Sequence, residues 1–176
     1  LYYQPKINAD SQQIIGAEAL IRWNRPGHGQ IPPDKFIPFA EQRNLMLGID
    51  QYVLNEACRQ LRAWRDAGLL DTIEHVAVNL SARQFKDENL SQMVLSALHD
   101  SGMPAELLEL ELTEGTLMDD ARATMATLEQ LRAIGVYLSI DDFGTGYSSM
   151  SYLNASTSAR SRSTRASSPA CRRIRS

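Results

Sequence analysis

Cysteine is scarce in this 176-residue chain, with only Cys58 and Cys171 present. Two thiols cannot build a disulfide framework or a zinc cluster, so a reducing, cytoplasmic setting is expected. Histidine is almost as rare, and His28, His75 and His99 show no metal-ligand spacing. Aromatic residues make up 7%, and Tyr2, Tyr3 and Trp23 read as packing residues rather than a base-stacking surface. No apolar run approaches the ~18–20 residues that span a bilayer, which excludes a membrane helix, and no membrane contact is expected from this segment. No basic-then-apolar leader opens the chain, so it reads as a fragment without an export signal.

Acid is missing from one place only. The formal net charge of −3 averages two unlike parts. Residues 1–153 carry 12 Lys and Arg against all 21 Asp and Glu, a net −9. Residues 154–176 hold six arginines, seven serines, no acid, and Ile174 as the one aliphatic residue larger than alanine. So little apolar surface cannot offset the entropy of ordering, and the segment is expected to be a disordered tail. Charge alone would allow a flexible basic linker or a nucleic-acid-binding tail.

The body alternates between strand and helix patterns. Strands are expected at Leu1–Gln4 and Ile14–Trp23, with a polar turn at Asn8–Ser11. Residues 24–33 include Pro26, Pro32 and Pro33 and read as a loop. Asp34 is placed to cap a helix running to about Asn44. From Asp50 to Ala67, apolar Val53, Leu54, Ala57, Cys58, Leu61 and Trp64 recur at three- and four-residue spacing, marking an amphipathic helix that Gly68 stops. Cys58 is therefore expected in the core. Beyond it, His75–Leu80 reads as a strand, Leu90–His99 as a helix ended by Gly102, and Leu107–Leu112 as a strand. Asp119–Ile134 reads as a helix and Val136–Ile140 as the next strand. This β-α-β-α-β order predicts an α/β protein with a parallel sheet.

In such sheets, polar residues at the carboxyl ends of strands line the site. Glu18 and Arg22 fall in the second expected strand, an even number of residues apart and so on one face. Asn79 ends the third strand, Glu111 the fourth, and Asp141 and Asp142 follow the fifth. This all-oxygen set suits Mg²⁺ or Mn²⁺ rather than zinc. Converging carboxylates repel one another, and bound cations resolve that conflict. Two cations bridged by an aspartate would activate a water and stabilise the leaving oxygen of a phosphodiester. Singly, each residue has a plainer reading: Glu18 and Glu111 as half-exposed strand residues, and Asn79-Leu80-Ser81 as a helix cap. The pair of acids in Asp141-Asp142-Phe143-Gly144-Thr145-Gly146 is the most specific signal, because two acids closing a buried strand are costly without a partner.

Read together, these residues resemble the EAL domain, the cyclic-di-GMP phosphodiesterase family. The matching text is Tyr3-Gln4-Pro5, Glu18-Ala19-Leu20-Ile21-Arg22-Trp23, Ile31-Pro32-Pro33 through Ala40-Glu41, Val78-Asn79-Leu80-Ser81, Glu111-Leu112-Thr113-Glu114 and Asp141 through Ser149. It runs almost continuously over residues 1–153. The resemblance implies a modified TIM-like (β/α)8 barrel whose first strand is antiparallel to the rest, represented here by about five strands. It implies that Glu18, Asn79, Glu111, Asp141 and Asp142 hold two metals, with Glu18, Asp141 and Asp142 central to catalysis. Gln4, Leu20 and Arg22 would contact cyclic-di-GMP, which would be hydrolysed to linear pGpG in bacterial second-messenger signalling. Glu114 would anchor the loop after Asp142, which in the family reaches a homodimer interface.

A full family sequence continues with a Lys-Ile-Asp strand, then a Glu near Glu-Gly-Val-Glu; neither follows Leu153. The genetic code supplies a reason. If each codon takes the last base of the one before it, Ser161-Arg162-Ser163-Thr164 can become Leu-Lys-Ile-Asp. That places the family's lysine at position 162, 21 residues after Asp141. The tail is thus expected to be out of frame, with no nucleic-acid polymer as partner. The chain is expected to be catalytically inactive, or alternatively to act as a non-catalytic cyclic-di-GMP-binding module.

Overall fold

Alternation along the strands separates apolar from polar chemistry onto two faces of one sheet. The computed structural model describes residues 1–70, 73–113 and 121–141, without the side chains of 121–123 and 141. In order they form β1 (Tyr2–Ile7), β2 (Ile14–Leu20), β3 (Trp23–Arg25), β4 (Gly29–Ile31), α1 (Pro33–Gln42) and α2 (Met46–Asp66). There follow β5 (His75–Asn79), α3 (Ala82–Phe85), α4 (Leu90–Ser101), β6 (Leu108–Thr113), α5 (Ala121–Ile134) and β7 (Tyr137–Asp141).

The main sheet has the order β1-β2-β5-β6-β7. β1 runs antiparallel to β2, while β2, β5, β6 and β7 are mutually parallel. This is the α/β arrangement expected from the strand and helix pattern, with the first strand reversed as the family resemblance implies. The parallel strands are joined through helices, as parallel pairing requires.

One face of the sheet is apolar and covered. Ala17, Ala19, Val76, Val78, Leu108, Leu110 and Leu112 pack with Leu54, Ala57, Cys58 and Leu61 of α2, Val94 and Ala97 of α4, and Leu131 of α5. Each large aliphatic side chain buried this way contributes up to about 1.5–3 kcal/mol, so this face holds the layers together. Tyr3, on the same face of β1, meets Trp64 of α2 edge to face with ring centroids 5.0 Å apart. The helical spacing read in α2 thus points inward as expected, with Cys58 fully buried.

The opposite face carries Gln4, Lys6, Glu18, His75, Asn79, Glu109 and Glu111, all at the alternate strand positions. Gly16 belongs to this row and has a packing reason to be glycine. A Cβ there would lie 2.7 Å from the His75 carbonyl oxygen, inside van der Waals contact.

Several local expectations are corrected. β2 ends at Leu20, so Arg22 lies in the link to β3 and strand parity does not place it. The expected loop 24–33 contains the hairpin β3–β4, where Trp23 pairs with Ile31 and Arg25 with Gly29. Asp34 sits in the first turn of α1; Pro32 is the N-cap residue and Pro33 starts the helix, where its missing N–H costs nothing. α2 begins at Met46, about a turn early, and buries Asp50 within it. Gly102 ends α4 as expected, in the left-handed conformation at φ 64°.

Candidate metal centre

Three of the five expected metal-binding residues have described side chains, and all three stand on the polar face near the carboxyl ends of β2, β5 and β6. Glu18 is two residues from the end of β2, Asn79 ends β5, and Glu111 is two residues from the end of β6. Asn79 Nδ2 donates to Glu18 Oε1 at 2.8 Å. In register, Glu18 faces Ala77 and Asn79 faces Glu111. With its amide hydrogen committed to Glu18, Asn79 has its side-chain carbonyl oxygen left for a cation.

The cap read in Asn79-Leu80-Ser81 is carried by Ser81. Ser81 Oγ accepts from Gln84 N at 3.1 Å and donates to Asp50 Oδ2 at 2.5 Å. One hydroxyl therefore starts α3 and ties the turn after Asn79 to α2. Burial raises the Asp50 carboxyl above its ordinary value despite the Ser81 hydrogen bond.

Glu111 has a partner that the sequence reading missed. Lys6 Nζ donates to Glu111 Oε1 at 2.6 Å and to Glu109 Oε2 at 2.8 Å. His75 Nε2 lies 2.9 Å from the same Glu109 oxygen. The two glutamates respond differently. Burial would raise Glu109, but hydrogen bonds from His75 and Lys6 hold it down at about 2. Glu111 is raised, because burial and the negative charges of Glu18 and Glu109 outweigh the single cation it shares. Burial would also lower Lys6, yet its two carboxylate partners raise it. Glu109 was legible only as part of an alternating Leu-Glu-Leu-Glu-Leu strand. Lys6 had a usable signal, since it shares strand parity with Gln4.

The remaining candidates divide as follows. Gln4 stands opposite Glu18 in the β1–β2 register, and Leu20 opposite Tyr2. Arg22 folds back, its Nη1 donating to the Ile21 carbonyl at 2.8 Å. Asp141 ends β7, its backbone paired with Thr113 of β6. Asp142, Glu114, the loop after Asp142 and the tail 154–176 lie outside the described residues. Among the described residues no group of three or more His, Cys, Asp or Glu side chains is gathered closely enough to hold a metal ion by itself. What they supply is a pair of carboxylates and an amide, all oxygen donors, on one face. The upward push of Glu18 on Glu111 shows negative charge accumulating there. Such a set fits a hard divalent cation.

An EAL domain family model matches residues 1–158. The chain belongs to the EAL domain family. Among its relatives, the bifunctional diguanylate cyclase/cyclic di-GMP phosphodiesterase MucR of Pseudomonas aeruginosa is 51% identical over 153 residues, covering 87% of this chain and 22% of MucR. The oxygen sensor protein DosP of Escherichia coli is 42% identical over 153 residues, covering 87% of this chain and 19% of DosP. This EAL chain therefore spans less than a quarter of either relative. A solved structure of the PaMucR phosphodiesterase in a c-di-GMP complex superposes with a TM-score of 0.81 at 51% identity, covering 86% of this chain and 60% of that one. The EAL enzyme Bd1971, bound to cAMP and cyclic-di-GMP, gives 0.78 at 33% identity, with 86% and 42% covered. Among the described residues no helix is long and apolar enough to cross a membrane.

Proposed function

We propose that this chain is part of a two-metal phosphodiesterase domain that hydrolyses cyclic-di-GMP to pGpG. The observation that carries the reading is the Glu18–Asn79 hydrogen bond set beside Glu111 on the polar face of an EAL sheet. Glu18, Asn79, Glu111, Asp141 and Asp142 would hold two Mg²⁺ or Mn²⁺ ions. When bound, such a pair activates a water and stabilises the leaving oxygen of a phosphodiester. Asn79 fixes the Glu18 carboxylate by its amide hydrogen, so the ligand is oriented before any cation arrives. Gln4 and Leu20, at neighbouring positions on the facing edges of β1 and β2, would contact the dinucleotide. Arg22 would turn its guanidinium from the Ile21 carbonyl to a phosphate, a better acceptor. Glu114 would anchor the loop after Asp142, through which two domains would pair.

In this reading the chain itself does not turn over substrate, because no Lys-Ile-Asp follows Leu153. The shifted reading frame accounts for that loss and makes the basic tail incidental. The same missing lysine favours one alternative, a module that binds cyclic-di-GMP without hydrolysing it.

Metal-dependent hydrolysis and cyclic-di-GMP binding, measured on this chain and on a frame-restored version, test both readings. Hydrolysis by the restored chain alone is the expected result. Binding by both with hydrolysis by neither supports the binding module. Turnover by the chain as it stands contradicts its inactivity, and absence of binding and turnover in both contradicts the proposed function. Sequencing the coding DNA across codons 150–170 decides the frame question directly.

A further inference from the structure

The polar face of the sheet carries more charge than the expected metal ligands account for. Lys6, Glu109 and His75 form a connected group beside Glu111, and the proposed chemistry uses none of them. Lys6 lies opposite Gly16 in the β1–β2 register. Gly16 has no side chain, and Ala77, between Glu18 and Glu109 in register, has a short one. Two small residues thus stand on the strands between Lys6 and the glutamates. Its ammonium reaches across β2 and β5 to β6, contacting Glu109 at 2.8 Å and Glu111 at 2.6 Å.

The two contacts are not equivalent. Glu109 is held from two sides, by Lys6 and by His75 Nε2 at 2.9 Å, and its side chain is only 12% exposed. It is the fixed end of the arrangement. Glu111 is bonded to Lys6 through Oε1. A carboxylate gripped through one oxygen keeps its other oxygen for a cation, and its rotation is restrained.

We infer that Lys6, pinned by Glu109 and His75, is a positioning residue for the metal centre, bracing the Glu111 carboxylate so that its second oxygen serves a divalent cation. The inference rests on Glu111 being a metal ligand, as proposed above. It is not obvious from charge, because a lysine beside a cation site should repel the cation. The two effects have opposite signs. Loss of a brace weakens cation binding, as loss of outer partners of metal ligands generally does, by about 10–100-fold. Loss of a mere repelling charge strengthens it.

Mn²⁺ binding to the 176-residue chain, read from the spin resonance of the free ion, separates the possibilities. Five proteins are compared: the parent, Lys6→Met, Lys6→Met with Glu109→Gln, Lys6→Arg and Glu111→Gln. The double variant leaves net charge unchanged, keeps an oxygen for His75, and strips one carboxylate rather than two of its lysine, so it carries the test where the single variant does not fold. The brace predicts Mn²⁺ affinity reduced at least about tenfold in the double variant, and likewise in the single variant where it folds. Affinity equal to the parent's in the double variant overturns the brace, and so does tighter binding in the single variant. If Glu111→Gln leaves Mn²⁺ binding unchanged, or the parent holds no Mn²⁺, the metal reading itself fails and the brace falls with it. The conservative variant Lys6→Arg keeps the charge but replaces a compact ammonium with a longer planar fork, and under the brace it restores less than half of the lost affinity.

Discussion

Asn79 at the end of β5 donates its side-chain amide hydrogen to Glu18 of β2 at 2.8 Å, although 61 positions separate the two in sequence. Neighbouring parallel strands make the meeting possible. Glu18 is level with Ala77, whose small side chain leaves the diagonal to Asn79 open. The bond costs no buried polar group, because Asn79 is exposed.

Replacing this amide separates function from folding. Asn79→Ala is expected to change folding stability by less than about 1 kcal/mol, as exposed substitutions usually do. In the frame-restored chain it is expected to lower metal-dependent cyclic-di-GMP hydrolysis at least about tenfold, since Glu18 loses its orienting donor and the site loses an oxygen. Parallel urea unfolding and hydrolysis measurements check the split. Equal activity in variant and parent contradicts the assignment of Asn79.

Gly16 is required by proximity rather than by backbone conformation. A methyl group at that position meets the His75 carbonyl oxygen at 2.7 Å, and neither paired strand yields easily. Gly16→Ala is expected to destabilise the domain by about 1–3 kcal/mol, read as a lowered urea midpoint. An unchanged midpoint would show that β2 and β5 are not paired in this register.

Cys58 reports on the helix-covered layer. Burial pushes its thiol up to about 12, so at neutral pH there is almost no thiolate to react. With Cys171→Ser removing the second thiol, labelling by a disulfide reagent is expected to be slow in native buffer and fast in denaturant. Rapid native labelling would mean that α2 does not pack on the sheet as described.

Asp50 predicts a pH dependence with a definite sign. Burial raises its folded value above the ordinary 3.8, so the fold prefers the protonated carboxyl. The cost of ionising it is absent below 3.8 and complete once pH passes the raised folded value. Asp50→Asn, which keeps an oxygen for Ser81, is therefore expected to gain thermal stability relative to the parent at pH 7. That gain shrinks as pH falls toward 4. A difference in melting temperature that grows with acidity contradicts the burial of Asp50.

The sequence made the helix-covered face legible because burial leaves a periodic trace. Val53, Leu54, Ala57, Cys58 and Leu61 repeat every three or four residues, and the structure buries all of them. The carboxyl-end positions of Asn79 and Glu111 followed from where strands stop, whereas Glu18 was read inside a strand expected to run to Trp23 and comes near the rim because β2 ends at Leu20. What escaped notice depended on reach or on very short elements. Lys6 acts across two strands, a span that local pattern does not encode. Glu109 alternates like a water-facing residue, and alternation names a face without saying what fills the space above it. Arg22 was placed by parity on a strand that ends two residues earlier, and β3 and β4 are three residues each, too brief for a period to register.

The gathering of oxygen ligands at one rim is tested most directly by paramagnetic broadening. Mn²⁺ is added well below one equivalent to the isotope-labelled chain, and the loss of each backbone amide signal is followed. The account predicts that the signals of Glu18, Asn79 and Glu111 vanish first and together. Broadening centred on acids of the outer surface, such as Asp34 or Asp66, with those three signals intact, would contradict it.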